Sequence, residues 1–371
     1  MHIHGIGKNT DLYLETMLQA AELGNLKNQA IVVAPQFLDD DDVTAHSLNS
    51  NYLRWRGSPN GMIRGFNSLN SNPLSSFAVM DSVILRLVNK NPNLCQIIVA
   101  GHSSGGQYVN RYAAVNRAEN LISVPVKYIV ANPSSYLYMD NKRRVSTSLN
   151  QFQVPSSGCS GYNSWRYGLH NSTACPYLSS VADSTIRGQF KERDVVYLLG
   201  AMDNDPNHSQ LETTCAAMAQ GNHRLERGII YFNHLKQYYN SNYSFDINST
   251  QNIVVVPNAA HSSAQLILST EGLAAMFDIQ PEAAGWEVLS PALTSNHLQD
   301  VFFIDSLYGW VCGNSGTILR TTNGGNSWSA PSSVSGTSTS HIRSIFFINR
   351  NTGWATRNSG RVLKTTNGGV N

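Results

Sequence analysis

The sequence is poor in charge and contains no long apolar run. Asp, Glu, Lys and Arg make up only 13% of its 371 residues, and the net charge is +2. No Lys/Arg-rich run occurs, which argues against a nucleic-acid partner or an anionic membrane surface. No apolar stretch reaches the roughly 18 residues that a transmembrane helix needs. We therefore expect no nucleic-acid partner and no transmembrane segment.

Cysteines are also few, and none belongs to a C-x-x-C motif. The five are Cys95, Cys159, Cys175, Cys215 and Cys312. This spacing does not fit a zinc site, and we expect neither a metal nor a cofactor. Cys159 and Cys175 bracket a loop-like stretch, so a disulfide between them, or from either one to Cys215, is an alternative to free thiols.

The chain is long enough for two domains, and its pattern changes near residue 280. Before that point strand-like and helix-like segments alternate, which predicts a mostly parallel sheet with helices on both faces. The predicted strands are 28–37, 95–100, 126–132, 194–200 and 252–258. The predicted helices are 75–91, 106–119, segments around 210–240, and 262–277. Residues 133–190 are rich in Ser, Tyr, Asn and Gly, and we expect an insertion that partly caps the site.

A repeat begins after residue 280. Residues 298–328 are echoed by 342–369, with Trp310 and Trp354 44 positions apart. Short strands and a turn signal in each unit predict β-propeller blades over residues 284–371. The turn TTNGGNSW resembles an Asp-box of neuraminidase-type repeats, with Asn323 at the usual Asp position. The whole repeat resembles the photosystem II assembly-factor type of blade.

Two blades do not close a propeller ring, which usually needs at least four. We therefore expect a partial, all-β module of about two incomplete blades. Asp-box turns are usually elements of the fold, so a structural role is favoured. The alternative is a binding or spacer module that contacts carbohydrate or a cell surface.

The stretch GHSSG at 101–105 fits the G-x-S-x-G pattern of a nucleophile elbow. In such an elbow a serine occupies a sharp turn between a strand and a helix, and small residues let the two elements pass closely. The apolar run CQIIVA precedes the motif and a helix-like segment follows it. This context predicts that Ser103 is a nucleophile.

A nucleophilic serine needs a histidine base and an acid that orients the histidine. In α/β-hydrolases the chain order is serine, acid, histidine, each after a strand. Asp203 follows the predicted strand 194–200, and His261 follows 252–258. We predict the triad Ser103, Asp203 and His261, with Asp205 as the alternative acid. Three histidines without a preceding strand are weaker candidates for the base: His208, His223 and His234.

The reaction also needs donors for a developing oxyanion. One predicted donor is the backbone N–H of Ser104, which follows the nucleophile. The second is expected from the N-terminal stretch MHIHGIGKN, at the amide of Gly5 or Ile6. His4 is expected to orient this loop rather than to act as a base.

The first 280 residues resemble an α/β-hydrolase. The segments HGIGKN, AGHSSGGQYVNRYAA, ANPSSYLYMD, GYNSWRYGL and QGNHRLERGIIYF resemble secreted microbial and fungal hydrolases, in which the first segment often reads HGxGRN. Lys8 replaces the arginine here. The resemblance implies a doubly wound sheet whose first strands precede the oxyanion loop. We therefore expect a chain that lacks those strands and a signal peptide, from a longer secreted or cell-surface protein.

These features predict a serine hydrolase that acts on a small-molecule or polymer ester through an acyl-enzyme. An ester is favoured over an amide because no stretch defines a peptide subsite. The alternative is a non-catalytic surface or adhesion protein with a degenerate hydrolase domain and a binding propeller. A sialidase is suggested only by the Asp-box-like turn, and two partial blades do not supply the arginine cluster that such a site needs.

Overall fold

The protein divides into two compact units, Met1–Ala284 and Gly285–Asn371. The computed structural model describes residues 1–49, 51–57, 61–156, 158–278, 294–305, 307–325, 327–330 and 340–370. The predicted domain limits at residues 279 and 284 lie outside these residues. We describe each unit by itself.

The first unit is built on a five-stranded sheet in which every neighbouring pair is parallel. Its strands are β1 (His2–Ile3), β2 (Ile97–His102), β3 (Val126–Ala131), β6 (Asp194–Gly200) and β7 (Gln251–Val256). They lie in the order β1-β2-β3-β6-β7. A separate small hairpin pairs β4 (Arg143–Arg144) with β5 (Phe152–Gln153). The prediction of a mostly parallel α/β sheet is confirmed.

Helices connect the strands. They are α1 (Thr10–Leu23), α2 (Asp40–Ala45), α3 (Ser76–Lys90), α4 (Ser104–Val115), α5 (Asp183–Phe190), α6 (Cys215–Met218), α7 (Arg224–Tyr243), α8 (Ser263–Ile267) and α9 (Thr270–Phe277). Short 3-10 turns span Met62–Arg64, Ala118–Leu121, Ser172–Ala174, Pro176–Leu178 and Ile247–Ser249. The apolar side of α3 is buried through Phe77, Met80 and Ile84, as its helical spacing predicts.

The sheet separates two apolar clusters, and successive side chains of β3 belong to one cluster and the other in turn. Tyr128 and Val130 pack into one cluster together with residues of α3, α4, α5 and α7. Ile129 and Ala131 pack into the other cluster with residues of α1, α8 and α9. Successive side chains of a strand point to opposite faces, so both faces of the sheet are covered by helices.

The predicted strand at 28–37 is wrong. These residues form no ladder, and only Phe37 among them is buried. The N–H of His2 donates to the carbonyl of Val33 over 3.0 Å, and Pro35 has no N–H for a ladder. This bond joins the segment to β1 without adding a strand to the sheet.

The predicted cap at 133–190 is also corrected in part. Tyr136, Leu137, Tyr138 and Met139 are fully buried and belong to the core of the first unit. None of the described residues that line the cavity at Ser103 comes from this segment. Its aromatic composition reflects core packing rather than a cover over the site.

In its described residues the second unit contains two three-stranded antiparallel sheets. Their strands are β8 (Leu298–Phe303), β9 (Gly309–Gly313), β10 (Ile318–Thr321), β11 (Ile342–Phe347), β12 (Gly353–Arg357) and β13 (Val362–Thr365), and a 3-10 turn spans Asn314–Gly316. The Trp310 and Phe347 rings stack with centroids 3.6 Å apart and join the two sheets. The predicted pair of repeated β units is confirmed.

The repeated turn has the same hydrogen bonds in both sheets. Thr321 Oγ1 donates to Asn323 Oδ1 and accepts the N–H of Gly325. Thr365 and Asn367 repeat the side-chain bond, and the equivalent glycine amide donates to Thr365 Oγ1. The asparagine at the Asp position of the box thus serves to close the turn.

Candidate active site

Ser103 occupies a sharp turn between β2 and α4. Its backbone has φ 58° and ψ −118°, a conformation that non-glycine residues rarely adopt. A Cβ at Gly101 would lie 2.3 Å from the carbonyl oxygen of Gly105, and one at Gly105 would lie 2.1 Å from that of Ile3. The two glycines are therefore required by the close passage of β1, β2 and α4, which turns Ser103 toward the ends of the strands.

The structure brings Ser103, His261 and Asp203 into one hydrogen-bonded chain. His261 Nε2 lies 3.0 Å from Ser103 Oγ, and His261 Nδ1 lies 2.7 Å from Asp203 Oδ2. Asp203 follows the end of β6, and His261 follows β7. All three side chains are largely buried. A serine hydroxyl in this arrangement can pass its proton to the imidazole, whose other nitrogen is held by the carboxylate.

Backbone and amide contacts join the loops that carry the acid and the base. The N–H of Met202 donates to the carbonyl of Ala259 over 2.9 Å. The buried Asn132 accepts from the N–H of Gly200 and donates to the carbonyl of Ala260. These bonds fix the acid loop and the base loop to each other at the ends of neighbouring strands.

Burial and charge set the proton affinities of the pair. Burial alone raises the pKa of a carboxyl group. At Asp203 this effect is outweighed by the hydrogen bond and charge of His261 and by Arg224, and the pKa is lowered. Burial lowers the pKa of His261 below its ordinary 6.5, although the hydrogen bond that His261 donates to Asp203 acts in the opposite direction. The site therefore holds an ionised carboxylate beside a neutral imidazole at neutral pH.

The predicted oxyanion donors lie near Ser103. Ser104 is the first residue of α4, where backbone N–H groups have no partner inside the helix. Gly5 and Ile6 line a cavity of about 350 Å³ together with Ser103 and His261. The remaining lining residues are Gly7, Asn9, Leu12, Tyr13, His102, Gln210, Ser262, Ser263 and Ala264. The lining has no Asp, Glu, Lys or Arg among the described residues.

His4 and Lys8 hold the loop that contains Gly5 and Ile6. The fully buried His4 contacts the carbonyl of Gly5 through Nδ1, and its Nε2 accepts the N–H of Phe37. Lys8 donates to the carboxylates of Asp39 and Asp42 over 2.9 Å each. The lysine that stands in place of an arginine thus anchors this loop to α2.

Asp205 lies apart from the hydrogen-bonded chain. Its side chain is exposed and accepts the N–H of Asn207, which closes a local turn. His223 caps the N-terminus of α7, and His234 bonds Asp140 from within that helix. Of the three weaker histidine candidates, His208 is the one beside the site, with its ring centroid 5.3 Å from that of His261.

Two buried residues near the site were not predicted from the sequence. The ring of His102 lies 4.5 Å from that of His261, and its Nδ1 is 3.3 Å from the hydroxyl of Tyr13. Arg224 forms an ion pair with the second oxygen of Asp203 over 3.2 Å. His102 could have been noticed because it lies inside GHSSG. Arg224 carried no such signal, because its contact depends on how α7 packs.

Of the pairings that the sequence left open, the structure contains Cys159–Cys215. The pairing of Cys159 with Cys175 is therefore wrong. Cys175 is a buried free thiol that donates to the carbonyl of Gly65, and burial raises its pKa to about 11. The disulfide ties Cys159, in the segment predicted as a cap, to Cys215, the first residue of α6.

Two further findings concern the described residues only. No group of three or more His, Cys, Asp or Glu side chains there could hold a metal ion. None of the helices in those ranges is both long enough and apolar enough to cross a bilayer.

Comparison with known proteins gives a separate match for each unit. Residues 279–371 match the family model of the photosynthesis system II assembly factor YCF48. A structure of YCF48 bound to D1 peptide is 30% identical, with 21% of this chain and 26% of that chain covered and a TM-score of 0.20. No curated protein matches the chain.

The larger unit is similar in structure to two polymer hydrolases. The poly(3-hydroxybutyrate) depolymerase from Bordetella parapertussis is 20% identical, with 76% of this chain and 81% of that chain covered and a TM-score of 0.50. Poly(aspartic acid) hydrolase-1 from Sphingomonas sp. KT-1 is 22% identical, with 72% and 83% covered and a TM-score of 0.49. With the strand order described above, the likeness to the depolymerase shows an α/β-hydrolase fold.

Proposed function

We propose that the protein is a serine hydrolase that cleaves an ester bond through an acyl-enzyme. The observation that carries this proposal is the continuous chain from Ser103 Oγ through His261 to Asp203, with separations of 3.0 and 2.7 Å. The strained elbow adds support, because backbone strain of this kind is concentrated at functional sites.

In the proposed reaction Ser103 Oγ attacks the ester carbonyl carbon while its proton moves to His261 Nε2. Asp203 accepts a hydrogen bond from His261 Nδ1–H and stabilises the imidazolium that forms. The imidazolium then protonates the leaving alcohol, and the C–O bond of the ester breaks. Water, deprotonated by His261, attacks the acyl-enzyme and releases the acid and free Ser103.

The amide of Ser104 and that of Gly5 or Ile6 would stabilise the negative oxygen of the tetrahedral intermediate. Support comes from the position of Ser104 at the start of α4 and of Gly5 and Ile6 in the wall of the cavity. The anchors at His4 and Lys8 would keep this loop in place during the reaction.

The substrate is proposed to be an uncharged ester with a small acyl group. The cavity of about 350 Å³ is bordered by glycine, serine, amide and apolar side chains, with no formal charge opposite Ser103 in the described lining. A charged acyl group would lose its hydration there without a partner. The alternative of a non-catalytic surface protein has no observation in its favour, because the serine, histidine and carboxylate are all present and hydrogen-bonded.

An oxidising compartment, as for a secreted protein, is proposed from the disulfide. Cys159 and Cys215 are bonded over a separation of 56 residues, and such bonds persist mainly outside the reducing cytosol. Counting free thiols in protein isolated from its native compartment would test this, because a reduced Cys159 and Cys215 there would contradict it.

Turnover of p-nitrophenyl butyrate tests the enzymatic proposal. We expect wild-type hydrolysis, and a loss of about 10³-fold or more in kcat for Ser103→Ala. Ser82→Ala, on the exposed face of α3, should retain full activity. A p-nitrophenyl ester with a charged acyl group and a suspension of poly(3-hydroxybutyrate) extend the test to substrate class. Equal activity of Ser103→Ala and wild type would contradict the proposal.

A further inference from the structure

Arg224 is a buried charge beside the acid, and the reaction above does not use it. Its side chain is fully buried, and its Nη1 donates to Asp203 Oδ1 over 3.2 Å. The other oxygen of the same carboxylate, Oδ2, bonds His261. Arg224 and His261 thus bind the two oxygens of one carboxylate, which defines the plane of that group.

Arg224 is itself held in place by two elements. Its Nε donates to the buried Ser134 Oγ over 3.1 Å. It is the first residue of α7, and the next residue, Leu225, donates its N–H to the carbonyl of Asp203 over 3.1 Å. Both the side chain and the main chain of Asp203 are therefore bonded to the first turn of α7.

We propose that Arg224 is a positioning residue for the hydrolase reaction, which fixes the Asp203 carboxylate for His261 and places a positive charge beside the acid. This inference rests on the proposed function of Ser103, Asp203 and His261. A buried arginine that only stabilised the fold would not need to bond Asp203 Oδ1, the carboxylate oxygen that His261 does not use.

The positive charge of Arg224 and the negative charge of Asp203 have opposite effects on the pKa of His261. The described groups that face His261 are the carboxylate of Asp203, the guanidinium of Arg224 and the rings of His208 and His102. Asp203 raises the pKa of His261, whereas Arg224 and His208 lower it. His102, which also faces His2, stays neutral because burial holds its pKa well below 6.5. Loss of the guanidinium charge should therefore raise the pKa of His261.

The pH profile of kcat/KM distinguishes positioning from simple stabilisation. The base must be neutral, so activity falls as the pH drops through the pKa of His261, and we expect the wild-type midpoint below 6.5. Arg224→Gln keeps amide donors but removes the charge. Its midpoint should move up, because a charge that lowers the pKa of His261 is removed, and kcat should fall about tenfold to a hundredfold with little change in KM. Arg224→Lys, which keeps the charge, should leave the midpoint in place.

Arg143→Gln is the matched control. Arg143 is equally buried in the same unit, but it donates to the carbonyls of Asp140, Lys142, Tyr162 and Tyr167 rather than to the triad. This variant should lose thermal stability and keep the wild-type midpoint. If Arg224→Gln only lost stability in the same way, with an unchanged midpoint and kcat, the inference would be overturned.

Ser134→Ala keeps the inference testable even if Arg224→Gln does not fold. It removes only the hydrogen bond to Arg224 Nε, and kcat should fall about two- to tenfold. An unchanged kcat would count against positioning. An NMR titration of the His261 ring needs no substrate. The same titration midpoint in wild type and Arg224→Gln overturns this inference. If the midpoint of Arg224→Gln is shifted but the wild type hydrolyses no ester, only the proposed function is overturned.

Discussion

The two units of the molecule use their interiors differently. The first unit buries charged side chains in quantity, with Arg111, Arg143, Arg224 and Arg227 all almost completely inaccessible. In the described part of the second unit the buried polar side chains are Thr321 and Arg357. The core of that unit is an apolar stack centred on Trp310 and Phe347.

The two interiors therefore have different roles. A buried charge is costly unless it is paired and hydrogen-bonded, and the pairing fixes direction. The Arg224–Asp203 pair specifies the orientation of one carboxylate, whereas the Trp310–Phe347 stack only specifies that two sheets pack. Polar contacts in the first unit should therefore affect chemistry, and apolar contacts in the second should affect stability alone.

The largest effect is expected from the triad acid. Asp203→Asn should lower kcat by about 10³- to 10⁴-fold, because an amide no longer stabilises the imidazolium and favours the wrong tautomer. Asp205→Asn, two residues away on the exposed turn, is the matched control and should change kcat little. Steady-state hydrolysis of p-nitrophenyl butyrate measures both. Similar losses in the two variants would show that the loop as a whole, and not the Asp203 carboxylate, is needed.

A smaller effect is expected from the stack in the second unit. Trp310→Ala should cost about 3–5 kcal/mol of the stability of that unit, because it leaves a cavity against Phe347. Trp354, at the same place in the next repeat, is only half-buried, and its replacement by Ala should cost less. Calorimetry combined with activity assays measures both quantities. Loss of hydrolase activity in Trp310→Ala would contradict the expectation that apolar contacts in the second unit affect stability alone.

The smallest effect is expected from the disulfide. Cys159→Ser together with Cys215→Ser opens a loop of 56 residues and should cost the first unit about 2–4 kcal/mol. Cys95→Ser, at an exposed free thiol, serves as the control. Thermal unfolding measures the loss. An unchanged melting temperature in the double variant would mean that neighbouring contacts alone hold this loop.

Local patterns in the sequence account for much of the site. The elbow is readable because GHSSG stands between an apolar run and a helical segment, and the positions of Asp203 and His261 follow from the ends of β6 and β7. The repeat was readable because its 44-residue period recurs exactly at Trp310 and Trp354. In these cases the determining contacts are short-range or periodic.

Long-range packing accounts for what the sequence did not predict. Arg224 is 21 residues from Asp203, and their contact exists only because α7 begins beside the acid loop. Residues 28–37 have the composition of a buried strand, yet they form no ladder and only Phe37 among them is buried. The Ser, Tyr, Asn and Gly content of 133–190 suggested a cap, but the fold places Tyr136 and Tyr138 of this segment in the core.

Covalent labelling tests whether Ser103 is the nucleophile, as proposed. Wild-type protein is incubated with a fluorophosphonate, digested, and the modified residue is located by tandem mass spectrometry. We expect one adduct on Ser103 in the wild type and none in the His261→Gln variant within the same reaction time, because the serine then lacks its base. An unlabelled wild type, or an adduct on another serine that persists in Ser103→Ala, would contradict it.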